Sequence, residues 1–322
     1  MNRKTILPLA SSRFRLSAVS IMALVLWVGA ALIPTTARGQ IFVTSVGNGT
    51  IGKYTTSGEP VNSSLVSGLD EPFDIAVSGP DLFVVFPGGN NSNNGVIGEY
   101  TTSGAVVNAS LISGLYDPTG IAVSGSDIFV TSFNGSYNKG TIGEYTTSGA
   151  TVNASLVSGL DSPAGIVVSG SDLLVARSGA IGEYTTSGDT VNDALVSVDD
   201  PIGIAVSGSD LFVTDLYSGT IGEYTTSGAT VNASLVSGLS YPEYIAVSGS
   251  DLFVTDYIAN GTVGEYTTSG TVVNASLISL EGPMGIAAVV PEPTTSSLLL
   301  IAGAGMLIRR RRSSAEAATS TE

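Results

Sequence analysis

Histidine and cysteine are both absent from this chain of 322 residues, so thiol and imidazole chemistry, disulfides and the usual zinc ligands are excluded together. Any reaction would rest on Asp, Glu, Ser, Tyr or a metal. The acids placed to do so stand in segments that vary along the chain: Asp70, Asp74, Asp117, Asp161, Asp199, Asp200, Glu243 and Glu281, with Asp215 and Asp256 ending two LFVTD runs. Carboxylates gathered with few cations can coordinate Ca²⁺, which takes about six to eight hard oxygens, activate a metal-bound water, or hold a basic or sugar ligand by hydrogen bonds. No D-x-D-x-D-G calcium loop is present, and acids beside Pro equally well solvate loops and cap turns. The expectation is a ligand-binding face with no catalytic residue and no resident cofactor, Ca²⁺ being the ion it would suit.

Charge limits the partners. Between 41 and 290 only Lys53, Lys139 and Arg177 stand against 24 acids, a net −21. A body this acidic repels phosphate backbones, which excludes nucleic acid. Cations and neutral or basic ligands are compatible with it.

The elements that must carry these acids are repeats. Residues 141–160 and 220–239 are the same twenty letters, TIGEYTTSGATVNASLVSGL. The phrase I/V-G-E/K-Y-T-T-S-G begins at Ile51, Ile97, Ile142, Ile181, Ile221 and Val263, at spacings of 46, 45, 39, 40 and 42. A period near forty with strand-like content predicts propeller blades. Each unit has four runs rich in β-branched and aromatic residues, exemplified by GIAV from Gly203, LFVT from Leu211, TIGEYT from Thr220 and ATVNASLV from Ala229. The first two are apolar almost throughout, as strands covered on both faces are.

The count of strands predicts closure. The body opens at Ile41 with a second strand and ends at Gly285 with a first strand that has nothing after it. Six complete units exist only if that last strand joins the first unit, which removes open sheet edges. The phrase P-x-G-I-A-V, a hairpin and LFVTD resembles the NHL-type repeat over residues 41–290, and the resemblance implies a propeller. Its Pro and Gly match at Pro118 and Gly120, Pro163 and Gly165, Pro201 and Gly203, and Pro283 and Gly285, whereas Asp74 and Tyr244 stand where Gly is expected. A β-solenoid stacking Thr146-Thr147 and Thr225-Thr226 into an ice-binding ladder is the rival, but its register does not survive spacings that wander by several residues.

In a propeller the loops from second to third strand, and from fourth strand to the next blade, share one face. Here those loops vary between units and carry the ten acids, while the SGSD and YTTSG turns of the opposite face barely vary. Variation on a constant scaffold is where a specific surface can be built. The N-A-S triplets at Asn108, Asn153, Asn232 and Asn274 fall on the outermost strand and read as strand residues, not glycan sites.

The two ends read as addresses. Residues 1–39 carry Arg3, Lys4, Arg13 and Arg15, then an uncharged run from Leu16 to Ile33 and a small-residue stretch, the pattern of a secretory signal. After the propeller, 40–290, residues 291–312 begin Pro291-Glu292-Pro293, continue through a short apolar run and end on Arg309, Arg310, Arg311 and Arg312, with a polar tail at 313–322. That order resembles the PEP-CTERM sorting signal. The resemblance implies a short transmembrane helix that anchors the chain transiently in the inner membrane, recognition by an exosortase after passage through the secretion machinery, and delivery to the cell envelope, outer surface or extracellular matrix. The expected class is therefore all-β: a six-bladed propeller between a signal helix and a short membrane helix, acting as a binding or structural scaffold for a polysaccharide or protein. A metal-dependent, lactonase-like hydrolase is the first alternative, and an ice- or mineral-binding protein the second.

Overall fold

The computed structural model describes residues 39–89, 93–133, 139–257 and 261–289. The expected signal and sorting segments, including Pro291, Glu292, Pro293 and the four arginines, lie outside the described residues. Among the described residues there is no helix, and so none long and apolar enough to cross a membrane. Their 24 strands form six four-stranded sheets, each antiparallel throughout.

Blade 5 shows how the repeat becomes a sheet. Pro201–Ser207 lies innermost, followed outward by Asp210–Asp215, Thr220–Thr225 and Thr230–Ser237. The second strand is buried on both sides because alternate residues serve different neighbours. Leu211 and Val213 pack with Leu174 and Ile181 of blade 4, while Phe212 packs with Leu252 and Val254 of blade 6. Each such side chain contributes about 1.5–3 kcal/mol by leaving water.

The ring closes as the strand count predicts. Pro283–Val289 becomes the innermost strand of blade 1, pairing antiparallel with Gln40–Ser45 through Gln40↔Val289, Ile41↔Ala288, Phe42↔Ala287 and Val43↔Ile286. Closure removes the solenoid reading, since the Thr-rich turns belong to separate sheets and form no ladder between them.

The constant letters do constant work on the lower face. In the TTSG turn of blade 5, Thr225 Oγ1 accepts the Ala229 amide at 3.0 Å and contacts Ser227 Oγ at 2.9 Å. Gly228 sits at φ 90°, and a Cβ there would come within 2.7 Å of Leu195 O on the outer strand of blade 4. The turn thus fits the blade behind it, which no side chain would allow. One difference from expectation lies on the outermost strands. The register of Thr220–Thr225 on Thr230–Ser237 shifts between Ile221 and Glu223, making a bulge in which Asn232 Oδ1 accepts the Ser234 amide at 3.1 Å. The Asn of the repeated triplet therefore has a local structural bond.

Candidate functional site at the loop face

In four blades the P-x-G motif stands at or just before the start of the innermost strand, which places its third residue at the propeller axis. At Gly120, Gly165, Gly203 and Gly285 the next blade's backbone lies so near that a Cβ would sit 2.4 to 2.5 Å from Ala164 O, Ile202 O, Glu243 O and Phe73 O. The two units lacking this Gly fill the axis instead. Asp74 is only 6% exposed, with Oδ1 accepting the Ile75 amide at 2.8 Å and Oδ2 the Ile121 amide of blade 3 at 2.9 Å. Burial nevertheless raises its pKa to about 7, against the lowering effect of those two bonds. Tyr244 of blade 6 donates its hydroxyl to Thr119 O of blade 3 at 2.6 Å, directly across the ring, and its ring meets Phe73 edge-on with centroids 6.1 Å apart. Burial, then Asp74 and Glu243, hold the Tyr244 phenol well above its ordinary pKa, so it stays a donor.

Above this plug is a cavity of about 190 Å³ whose walls include Phe73, Phe133, Ile202, Asp200, Glu243 and Tyr244. Burial first, then Asp200 and Asp256, push Glu243 up to about 7. Asp200 is raised as well, by burial and then by Asp215. A neighbouring cavity of about 310 Å³ shares Phe73, Thr119 and Phe133 and adds Glu71 and Asp117. Three residues on this face hold left-handed backbone immediately before the motif proline: Glu71 at φ 48°, Asp117 at 45° and Ser162 at 42°. Such positions are strained for non-glycine residues, and they gather here and nowhere else among the described residues.

The remaining acids divide by what their oxygens do. Asp256 accepts the Ser240 and Tyr241 amides at 3.0 and 2.7 Å, and Asp215 accepts the Ser218 amide at 3.2 Å, so both shape loops. Asp161 pairs with Lys139, whose ammonium lowers its pKa. Asp70, Asp199 and Glu281 are exposed, and Glu281 lends its backbone carbonyl to Ser45 Oγ at 2.6 Å. The structure thus brings Asp200 and Glu243 together in one cavity, places Asp117 in the adjoining one and turns Asp74 inward. Among the described residues no group of three or more acids is placed to hold a metal ion. Sequence reasoning missed Phe73, Phe133 and the plugging role of Tyr244. Its one usable signal was the departure of Asp74 and Tyr244 from Gly.

No protein-family model matches the chain, and no curated protein matches it. Solved structures do. A nidogen/laminin complex aligns over 79% of this chain and 100% of the other at 17% identity and a TM-score of 0.66. A streptogramin B lyase aligns over 77% and 83% at 23% identity and a TM-score of 0.55, and a virginiamycin B lyase from Staphylococcus aureus over 74% and 81% at 22% and 0.50. The class defined is the six-bladed β-propeller, with solved relatives in fold that include both a component of a protein complex and enzymes.

Proposed function

We propose that the chain is an exported envelope or extracellular-matrix protein whose propeller is a binding scaffold, with the axial mouth of the variable face as its ligand site. The observation that carries this reading is the plugged axis. Tyr244 closes the floor, and above it Glu243 and Asp200 meet Phe73 and Phe133 in one cavity. Apolar walls with a few convergent polar groups are the usual form of a small-ligand site. The opposite face offers repeated turns. A basic or polyhydroxylated group suits the two carboxyls, and a divalent ion would have to recruit oxygens of the ligand itself. Export, cleavage near residue 39, exosortase recognition at 291–312 and transient membrane anchoring rest on the terminal sequences. A thermal-shift screen of the full chain against divalent ions, amines and polysaccharides tests the site. A ligand should raise the melting temperature and lose that effect in Glu243→Gln. A screen in which every shift survives that change removes the assignment.

A catalytic second reading is favoured by one specific observation, a glutamate that titrates near neutrality within a closed-floor cavity. Glu243 would then move the proton, with Asp200 holding charge beside it. The lyases among the fold's solved relatives keep such chemistry in view, as does the metal-dependent hydrolase expected as an alternative. Turnover abolished by Glu243→Gln, and by chelator if a metal takes part, would establish it over simple binding.

A further inference from the structure

Three tyrosines of the loop face project into solvent although the propeller core does not need them: Tyr217 is 80% exposed, Tyr241 49% and Tyr257 42%. They follow one another across blades 5 and 6. The loop holding Tyr217 receives the Leu239 amide at Gly219 O, 3.0 Å, and Tyr241, two residues past Leu239, receives the Tyr257 amide on its own carbonyl at 2.9 Å. Tyr257 in turn packs on Gly282, whose absent Cβ would lie 3.3 Å from the ring. The backbone beside Tyr217 and Tyr241 is fixed from beneath. Asp256 holds the Ser240 and Tyr241 amides, Asp215 holds Ser218, and Asp200 O holds Leu216 at 3.0 Å. A tyrosine has only two side-chain torsions to lose on binding, and exposed tyrosines recur at the energetic centres of protein interfaces.

Charge selects the partner. From 178 to 290 the chain carries 13 acids and not one Lys or Arg. We propose that the strip Tyr217, Tyr241 and Tyr257, bordered by Asp199, Asp200 and Glu281, docks a basic polypeptide segment, with Arg or Lys side chains lying over the rings and the flanking carboxylates balancing their charge. A guanidinium uses both features, because the ring face attracts a cation and the carboxylate accepts its fork of donors. A neutral saccharide would use the rings but leave the uncompensated acidic border unanswered. The inference rests on the loop face being the binding face and names the partner's chemistry beyond the axial cavity.

The test uses the full chain and a fluorescent peptide of alternating Gly and Arg. Tyr217→Ser with Tyr241→Ser should weaken binding about tenfold, the loss expected from two cation–ring contacts, while Tyr217→Phe with Tyr241→Phe keeps it within about twofold. Because these side chains are exposed, the melting temperature should hold in all variants. A charge control on the opposite face, Glu144→Gln with Glu223→Gln, should leave affinity unchanged. The proposal is overturned if the Ser variant binds like the wild type, if the control weakens binding as much, or if a neutral glucan oligomer binds the strip and the peptide does not. Retained Glu243-dependent ligand binding with an inert strip would sink this inference alone; the loss of both would sink the parent reading.

Discussion

Replacing Asp74 should change how stability depends on pH. The carboxyl goes from an ordinary 3.8 in the unfolded chain to about 7 in the fold. The folded state therefore holds the proton more tightly, and stability must fall as pH rises between those values, the penalty being complete above about 7 and absent below 3.8. The full difference corresponds to about 4 kcal/mol, of which about 2 kcal/mol is lost between roughly pH 5.5 and 8. That window is unusually clean because the chain has no histidine. Glu243, partly buried and raised to about 7 with the same sign, titrates within it as well. Urea unfolding of the wild type, Asp74→Asn and Asp74→Gly across this range reads the slope directly. The absolute stability of the variants is not the readout, since Asn places an amide donor opposite one backbone donor and Gly leaves a void. Both variants should lose a large part of the wild-type slope, and a second change, Glu243→Gln, should remove most of what is left. An unchanged slope in both Asp74 variants would refute the claim that this carboxyl is desolvated at the axis.

Other perturbations have equally direct readouts. Gly149→Ala adds a Cβ 2.6 Å from Leu111 O at φ 86°, and should cost at least about 1–2 kcal/mol in chemical denaturation. Tyr244→Phe leaves Thr119 O without its 2.6 Å donor and should cost about 1–3 kcal/mol in the same assay, while Tyr244→Gly should open the axis and make it permeable to small solutes in a crystal soak. Truncation after residue 282 removes the innermost strand of blade 1, and light scattering should show aggregation, whereas truncation after residue 290 should melt cooperatively like the full chain.

The fold was legible because its information is local and repeated. The same TTSG letters make the same turn, the double-sided apolar runs make the inner strands, and an unpaired first strand at Gly285 demands a partner at Ile41. The bulge at Asn232 was less legible, because it depends on a side-chain bond rather than on alternation. The site was legible only as a face. Ten acids could be assigned to loops from spacing, but whether an oxygen faces solvent or a backbone amide is a matter of a few ångströms. Asp74, Asp215 and Asp256 spend theirs on amides. The contact between Tyr244 and Thr119 spans 125 residues of sequence, and no periodicity announces it.

The pairing of Gln40 with Val289 also fixes an order of events. Five of the propeller's sheets are each built from one continuous stretch of chain, whereas blade 1 needs Gln40–Ser45 and Pro283–Val289 together and so waits for its clasp. In any passage amino end first through a narrow pore, blade 1 can lock only after residues 283–289 have crossed.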